Sequence, residues 1–400
     1  MRQFTLIASM LLFATALWSQ SLWNVSHMQM VKDSLQTKTY ATAYAHLLNE
    51  AESKLDALPP SVMMKDKTPA SGSKHDYMSM GRYFWPDTTK ANGKPYVNRD
   101  GQTNPEIERL DRNRLSELTD AVTTLALAYY FSDNEKYADK AMDYLRVWFL
   151  NDSSRMNPNL EYAQMIPGHH SDKGRSYGLI DTYSFVEMLD AVAILQSASS
   201  FTADDKEGLK MWFTNYLNWF INSPQGKEEH QATNNHGLAY DVQVVAFAIF
   251  IGNDLLAFNY IDQFAQMRLF KQIELDGKQP LELTRTLAFG YSVFNIHHMV
   301  DLFFFAEKMG RHHIDNTVSP DGRSFYKAVD FLVPYLGKSV KEWPYQQISD
   351  WENKQQALCD DLYRITLLNP SRTDYLQLYQ THNRNTPSSR FKLLYYYAHQ

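Results

Sequence analysis

The stretch "NRLSELTDAVTTLALAYY", residues 113–130, carries the pattern that decides the fold class. Its apolar side chains recur every three or four residues, which is typical of an α-helix with one buried face. The positions in this pattern are Leu115, Leu118, Val122, Leu125 and Tyr129. The stretch is therefore predicted to be an amphipathic helix that packs against other elements.

The same spacing recurs along most of the chain. It predicts further helices at about 28–57, 135–150, 181–198, 203–222, 237–251, 254–270, 291–309, 323–336, 351–368 and 386–398. Alternating strand patterns are scarce, and short turns such as "FSDNEKY" and "IGNDLLA" join neighbouring helices. We therefore expect an all-α fold: an (α/α) toroid or barrel of antiparallel helical hairpins, an incomplete ring with a long lid loop. A regular solenoid is disfavoured because the sequence shows no fixed repeat period.

Composition limits the classes of function. The 400 residues are 44% hydrophobic, so the chain can bury a large core. Cys359 is the only cysteine, which excludes an intramolecular disulfide framework. The net charge of −6 argues against a general nucleic-acid-binding protein, because neutralising phosphates needs a basic surface. An anionic ligand would need a local basic cleft.

The first residues have the layout of a secretory signal peptide. A basic start, "MRQ", precedes the apolar run "FTLIASMLLFATALW" and the small polar stretch "SQS". Residues 1–20 are therefore predicted to be a signal peptide and 21–400 a single domain. We expect a bacterial protein that is exported to the periplasm or secreted, with no membrane insertion after the signal is cleaved.

Residues 61–106 do not follow the helical pattern. A long irregular segment inside a compact domain is usually functional or disordered, and the aromatic content here argues against disorder. Flat rings interleaved with cations suit a carbohydrate that carries carboxylates. The candidate binding residues in this segment are Lys74, His75, Tyr77, Tyr83, Trp85 and Arg99.

Two polar clusters lie at predicted helix starts. In "ATNNHGLAYDVQ", residues 232–243, one asparagine is enough to cap the helix, whereas the whole Asn234-Asn235-His236 group would suit an anion pocket. In "ELTRTLAFGYSVFNIHHM", Arg285 precedes Tyr291. This arginine would either pair with Glu282 or bind a ligand carboxylate. The local sequence leaves both alternatives open at each cluster.

Other chemistries find less support. The adjacent histidine pairs at 169–170, 297–298 and 312–313 lack a zinc-like ligand spacing, so we expect no metal and no cofactor. No G-x-S-x-G elbow of a serine hydrolase is present. A glycoside hydrolase would need two carboxylates, such as Asp76 and Asp241, and a non-catalytic glycan-binding protein is a third possibility. Arg175 and Tyr177, in "GRSYGLIDTY", are candidate cleft residues.

Four segments together resemble a known family. "SGSKHDYMSMGRYFWPD", "GRSYGLID", "NNHGLAYDVQ" and "ELTRTLAFGYS" are similar, in the same order, to motifs of the α/α-toroid alginate lyases. The resemblance covers roughly residues 70–310 and is closest to polysaccharide lyase family 38, with family 5 more distant. The segment "GLAYDVQ" departs from family 5, so substrate preference is not carried over from there.

The resemblance implies an enzyme that cleaves alginate, or a related polyuronate such as glucuronan, by β-elimination. It assigns neutralisation of the substrate carboxylate to Asn235, His236 and Arg285, and acid/base catalysis to Tyr291. If Tyr291 is the base, Arg285 and His236 must favour its phenolate. In guluronate the two leaving groups lie on opposite sides, and His236 is then the natural base. The predicted substrate-binding residues also include Gln164, His169, Asn234 and Tyr240.

Overall fold

A computed structural model describes residues 22–396 of the chain, and the predicted signal peptide lies outside these residues. Helices dominate the described part. In chain order they are α1 (Val25–Asp33), α2 (Ala41–Leu55), α3 (Asp111–Ser132), α4 (Glu135–Leu145), α5 (Phe185–Leu195), α6 (Ala203–Asn222), α7 (Pro224–His230), α8 (Asn235–Ile251), α9 (Asp254–Phe264), α10 (Phe270–Gln272), α11 (Pro280–Leu283), α12 (Ala288–Lys308), α13 (Phe325–Leu332), α14 (Trp351–Leu368), α15 (Thr373–His382) and α16 (Phe391–Leu394). No helix within residues 22–396 combines the length and the apolar character needed to cross a membrane.

The helices form two layers. The inner helices α3, α5, α8, α12 and α14 contact one another in that order, and the outer helices α2, α4, α6, α9, α13 and α15 pack against them. Inner helix α8 is buried along almost its whole length, as expected for a helix that is apolar on all sides. It ends at Gly252, whose φ of 82° lies in the left-handed region that glycine adopts without strain. The predicted all-α toroid is confirmed.

Several predicted boundaries differ from the observed ones. The predicted helix 28–57 is two helices, because the polar stretch 34–40 forms turns between α1 and α2. The predicted helices 135–150 and 254–270 each end in a π-helical turn, at Arg146–Leu150 and Ala265–Leu269. Helix α15 was not predicted, and within the described residues the predicted helix 386–398 is reduced to α16.

The irregular segment 61–106 is packed against the helices. Its strand β1 (Met78–Met80) pairs in parallel with β4 (Tyr162–Met165). Its strands β2 (Phe84–Trp85) and β3 (Val97–Asn98) pair with each other in antiparallel fashion. The segment thereby places Tyr83 and Asp100 opposite the first turns of α8 and α12, where the main cleft lies.

Candidate active site

The cleft has a volume of about 740 Å³ and lies over the N-terminal ends of α8 and α12. Residues of the 61–106 segment form its opposite wall. The predicted site residues that line it are Tyr83, Gln164, Arg175, Tyr177, Asn234, Asn235, His236, Arg285 and Tyr291. The two polar clusters of the sequence are therefore parts of one site.

At the start of α8, one of the three polar residues that line the cleft also caps the helix. Asn234 is the N-cap, and its side chain accepts a hydrogen bond from the main-chain N–H of His236 at 3.2 Å. Asn235 and His236 are the first residues of the helix and line the cleft. The first turn of a helix carries partial positive charge, which favours an anion at this position.

Asn235 is hydrogen-bonded to a buried carboxylate. Glu282 accepts hydrogen bonds from the main-chain N–H and from Nδ2 of Asn235, both at 2.7 Å. Burial raises the pKa of Glu282 above its usual range, although both of these hydrogen bonds act to lower it. Asn235 is itself fully buried, and its Oδ1 has no hydrogen-bond partner among the described residues. The side chain is thus fixed at the floor of the cleft.

His236 has its own carboxylate partner. Its Nδ1 lies 2.6 Å from Oε1 of Glu229, which is only 2% exposed. In the neutral imidazole, a carboxylate at this distance holds the proton on Nδ1 and leaves the lone pair on Nε2. The imidazole also meets the ring of Tyr177 edge to face, at a centroid distance of 4.6 Å. His236 is therefore oriented as a potential base.

Two groups contact the hydroxyl of Tyr291. Nη2 of Arg285 donates a hydrogen bond to this oxygen at 3.0 Å, and the hydroxyl of Tyr83 lies 3.1 Å from it. Arg285 pairs with Asp100 at 2.7 Å, and not with Glu282 as one interpretation of the sequence had it. Asp100 also accepts hydrogen bonds from Thr286, which fixes the arginine against the start of α12.

The protonation of Tyr291 differs from what a base would need. Burial raises the pKa of Tyr291 well above its usual value, and the neighbouring Tyr83 raises it further, whereas Arg285 lowers it. Arg285 thus lowers the pKa of Tyr291 as expected, but the increase caused by burial is larger. Without substrate, Tyr291 is a phenol at neutral pH, which suits an acid.

A sequence model described as alginate lyase matches residues 61–343. This chain belongs to the alginate lyase family. The crystal structure of an alginate lyase from Bacteroides ovatus is 47% identical, covers 94% of this chain and 99% of its own, and superposes with a TM-score of 0.92. The family assignment makes this protein a polysaccharide lyase.

More distant structures share the fold. Alginate lyase A1-III from Sphingomonas species A1 is 14% identical over 96% of this chain and 98% of its own, with a TM-score of 0.58. A histidine-to-alanine variant of A1-III in complex with a tetrasaccharide is 13% identical over 96% of this chain and 98% of its own, with a TM-score of 0.63. Among curated protein sequences, none matches this chain significantly.

Arg175 is a cation on another wall of the lyase cleft. Arg175 donates from Nε and Nη2 to the main-chain oxygen and Oε1 of Gln164, and its guanidinium stacks over the rings of Phe84 and Tyr177. No carboxylate within residues 22–396 forms an ion pair with it. Burial lowers the pKa of Arg175, so the protein alone does not compensate the desolvation of this charge. An anionic ligand would compensate it.

Other predicted binding residues lie outside the cleft. Tyr77 and Tyr240 are buried in the core, where Tyr77 donates to Asp181 and Tyr240 stacks on Phe220. Aromatic side chains at these positions were predicted to contact substrate, but they fill the space behind the cleft wall. Their assignment as binding residues is therefore not supported by the geometry.

The remaining predicted residues are engaged elsewhere. Nζ of Lys74 donates to the main-chain oxygen of Lys65, and Nδ1 of His75 lies 2.7 Å from that of Arg155. Nε2 of His169 lies 3.2 Å from the main-chain oxygen of Tyr96. Trp85 and Arg99 form a cation–π pair with each other. These five predicted residues have their partners within the protein, and none of them lines the cleft.

Sequence reasoning missed most of the acidic partners and some cations of the site. The missed residues are Asp100, Arg112, Asp181, Glu229, Asp350 and Lys354, and Glu282 was considered only as a partner of Arg285. Asp181 lies at the cleft floor and accepts hydrogen bonds from Arg112, Ser79 and Gln164. Gln164 has a φ of 47°, a strained conformation for a residue with a side chain, and it holds Arg175 in turn.

Proposed function

We propose that this lyase cleaves alginate by β-elimination, with Tyr291 and His236 moving the protons. The observation that carries the proposal is the convergence of a phenol, an imidazole, an arginine and an amide at the first turns of α8 and α12. β-Elimination on a uronate needs such a set. A base must remove the proton on C5, an acid must protonate the departing oxygen on C4, and donors must stabilise the carboxylate beside C5.

The carboxylate is the main obstacle to the reaction. Proton removal from C5 pushes negative charge onto it, so donors that face its oxygens stabilise the transition state more than the ground state. Arg285, the amide of Asn235 and the partial positive charge of the first turn of α8 supply that positive potential. Burial strengthens each of these interactions because little water competes with them.

Guluronate suits the separate positions of His236 and Tyr291 in the cleft. Its C5 proton and its C4 oxygen lie on opposite sides of the sugar, so the base and the acid must be different residues. His236, with Nδ1 held by Glu229, offers the lone pair of Nε2 as the base. Tyr291 is a phenol and supplies the proton to the oxygen on C4.

Mannuronate places a different demand on the same residues. Both groups leave from one side, so Tyr291 removes the C5 proton and returns a proton to the C4 oxygen. Tyr291 must first lose its own proton to solvent, and the hydrogen bond from Arg285 stabilises the resulting phenolate. This route should therefore depend more strongly on Arg285 and on pH than the guluronate route does.

A glycoside hydrolase on the same fold is not favoured. Asp241 is buried in a bidentate pair with Arg268, and Asp76 accepts hydrogen bonds from Asn157 and Asn159. Neither carboxylate lines the cleft. The two acids considered for hydrolysis are thus committed to structural contacts.

The test is the chemical nature of the product. Purified enzyme is incubated with polymannuronate, polyguluronate and glucuronan, and the ultraviolet absorbance of the conjugated unsaturated uronate is followed. Alginate lyase activity predicts a rise on at least one of the two alginate blocks. A rise on glucuronan alone would reassign the substrate, and chain shortening without absorbance would contradict elimination.

We also propose that the enzyme acts outside the cytoplasm, because the first 20 residues have the layout of a signal peptide. N-terminal sequencing of protein from the periplasm and from the medium tests this proposal. Retention of residues 1–20 on a cytoplasmic protein would contradict it.

A further inference from the structure

Part of the cleft is lined by residues that follow the family match in the sequence. The match ends at residue 343, yet Asp350 and Lys354 also line the cleft. Asp350 is the last residue of a short irregular stretch, residues 346–350, which we call the C-terminal strap, and Lys354 follows it. The strap lies across the start of α12, the helix that carries Tyr291.

The strap is attached to that helix by three hydrogen bonds. The main-chain oxygen of Gln346 accepts from Ala288 at 3.0 Å, and the N–H of Ile348 donates to the oxygen of Thr286 at 3.1 Å. Oε1 of Gln347 accepts from the N–H of Gly290 at 3.1 Å. The N-cap residue of α12, Leu287, has no capping side chain, so Gln347 takes over that function from a distant position.

Lys354 lies in the first turn of α14 and extends over Gly290. A methyl group at Gly290 would lie 3.2 Å from Cγ of Lys354 and 3.4 Å from its Cδ and Cε. The aliphatic part of the lysine therefore runs along the backbone next to Tyr291. Lys354 also lines the cleft, as does Tyr291, the proposed proton donor.

The charge of Lys354 is only weakly engaged by the protein. Its partner, Asp350, lies at 3.3 Å, and the two side chains are 38% and 37% exposed. An ion pair with this exposure contributes little to the stability of the fold. A ligand carboxylate can therefore compete with Asp350 for the ammonium group. Arg285, by contrast, is held at 2.7 Å by Asp100.

We propose that Lys354 binds the carboxylate of a uronate next to the sugar that loses its C5 proton. This inference rests on the proposed function, because a polyuronate carries one carboxylate on every sugar. The Tyr291 side of the cleft then has its own carboxylate site, supplied by α14. Arg175 lies on the side of His236, through its contact with Tyr177, so the two cations flank the reacting sugar.

The variant Lys354→Met tests the proposal, because it keeps the aliphatic stem over Gly290 and removes the charge. Steady-state kinetics are measured on alginate polymer and on oligouronates of increasing length. KM should rise about tenfold on substrates long enough to reach Lys354, the size expected for one charge-assisted hydrogen bond. The value of kcat should change by less than about twofold, since binding to a neighbouring sugar does not alter the transition state.

Two further variants serve as controls. Lys354→Arg keeps the cation and should stay close to the wild-type KM. Lys338 also forms an exposed ion pair four residues away, with Glu342 at 3.9 Å, but it does not line the cleft. Lys338→Met should therefore leave KM unchanged. Thermal unfolding of each variant verifies that the fold is retained.

The outcomes separate the two proposals. An unchanged KM for Lys354→Met on every substrate length would overturn the Lys354 site, as would a fall in kcat with constant KM. An equal rise in KM for the shortest cleavable substrate and for polymer would also contradict a neighbouring-sugar site. Failure of the proposed function has a different signature, since the wild-type enzyme would then form no unsaturated product from any uronate polymer.

Discussion

Glu282 holds Asn235 at two points, accepting hydrogen bonds from its main-chain N–H and from its side-chain amide, both at 2.7 Å. Glu282 belongs to α11, which directly precedes the Arg285 and Tyr291 cluster, whereas Asn235 begins α8. The pair therefore ties the two halves of the cleft together. It sets the distance between the amide of Asn235 and the phenol of Tyr291 without any contact between those two groups.

Tyr291→Phe is the most direct test of the proposed acid/base role. The change keeps the ring and its packing but removes the hydroxyl that contacts Tyr83 and Arg285. Turnover should fall by about 10²–10⁴-fold, the usual effect of losing a general acid or base. The initial rate of unsaturated product formation measures this effect, and Tyr83→Phe is a useful comparison. A folded Tyr291→Phe enzyme with near wild-type turnover would rule out the mechanism.

Glu229→Gln tests how His236 is positioned. The variant removes the carboxylate that faces Nδ1 at 2.6 Å and leaves an amide of similar size. Turnover should fall by about 10- to 100-fold, as for other residues that orient a working histidine, and the pH profile of kcat should shift. The matched control is Glu228→Gln, which changes the exposed neighbouring glutamate. Equal kinetics for both variants would show that Glu229 has no positioning role.

The sequence was sufficient to locate the residues that face the substrate cleft at the two helix starts. Asn235 and His236 are adjacent, and Arg285 and Tyr291 lie six positions apart, so each cluster is visible as a local pattern. The helical spacing was also sufficient for the fold class, because inner helices such as α8 must be apolar on nearly all sides.

The partners of these residues could not be predicted in the same way. Asp100 reaches Arg285 across 185 positions, and Glu282 reaches Asn235 across 47. No local pattern encodes such pairs. Tyr240 illustrates the opposite error, since it follows His236 by one helical turn yet faces the core and stacks on Phe220. Aromatic composition alone does not distinguish a ring that covers a sugar from one that fills a core.

His236→Ala should separate the two stereochemical routes. If His236 is the base for guluronate, its loss should reduce turnover by about 10²–10⁴-fold on polyguluronate. The loss on polymannuronate should be smaller, because Tyr291 is the proposed base there and His236 contributes only to the charge around the carboxylate. The two substrates are compared with one enzyme preparation, and Arg285→Ala provides the reference for a defect in charge stabilisation of about 10²–10³-fold. Equal losses on both substrates would exclude the base role of His236.

The stability of the fold should depend on pH through Asp360, a residue of α14 that does not line the cleft. Its Oδ1 accepts hydrogen bonds from Gln356 at 2.8 Å and from Asn385 at 2.6 Å, but burial still raises the pKa of its carboxyl from 3.8 to about 7. Because the folded state holds this proton more tightly than the unfolded state, its contribution to stability is complete below about pH 4. It is lost progressively as the pH rises to about 7.

Asp360→Asn removes this titration while keeping an acceptor oxygen for both hydrogen bonds. Relative to the wild type, the variant should therefore gain free energy of unfolding as the pH rises from about 4 to 7, with no further gain above that range. Urea unfolding at several pH values measures the difference. Asp139→Asn, which changes an exposed aspartate of α4, should instead run parallel to the wild type. A constant difference between Asp360→Asn and the wild type across this window would show that Asp360 does not titrate there.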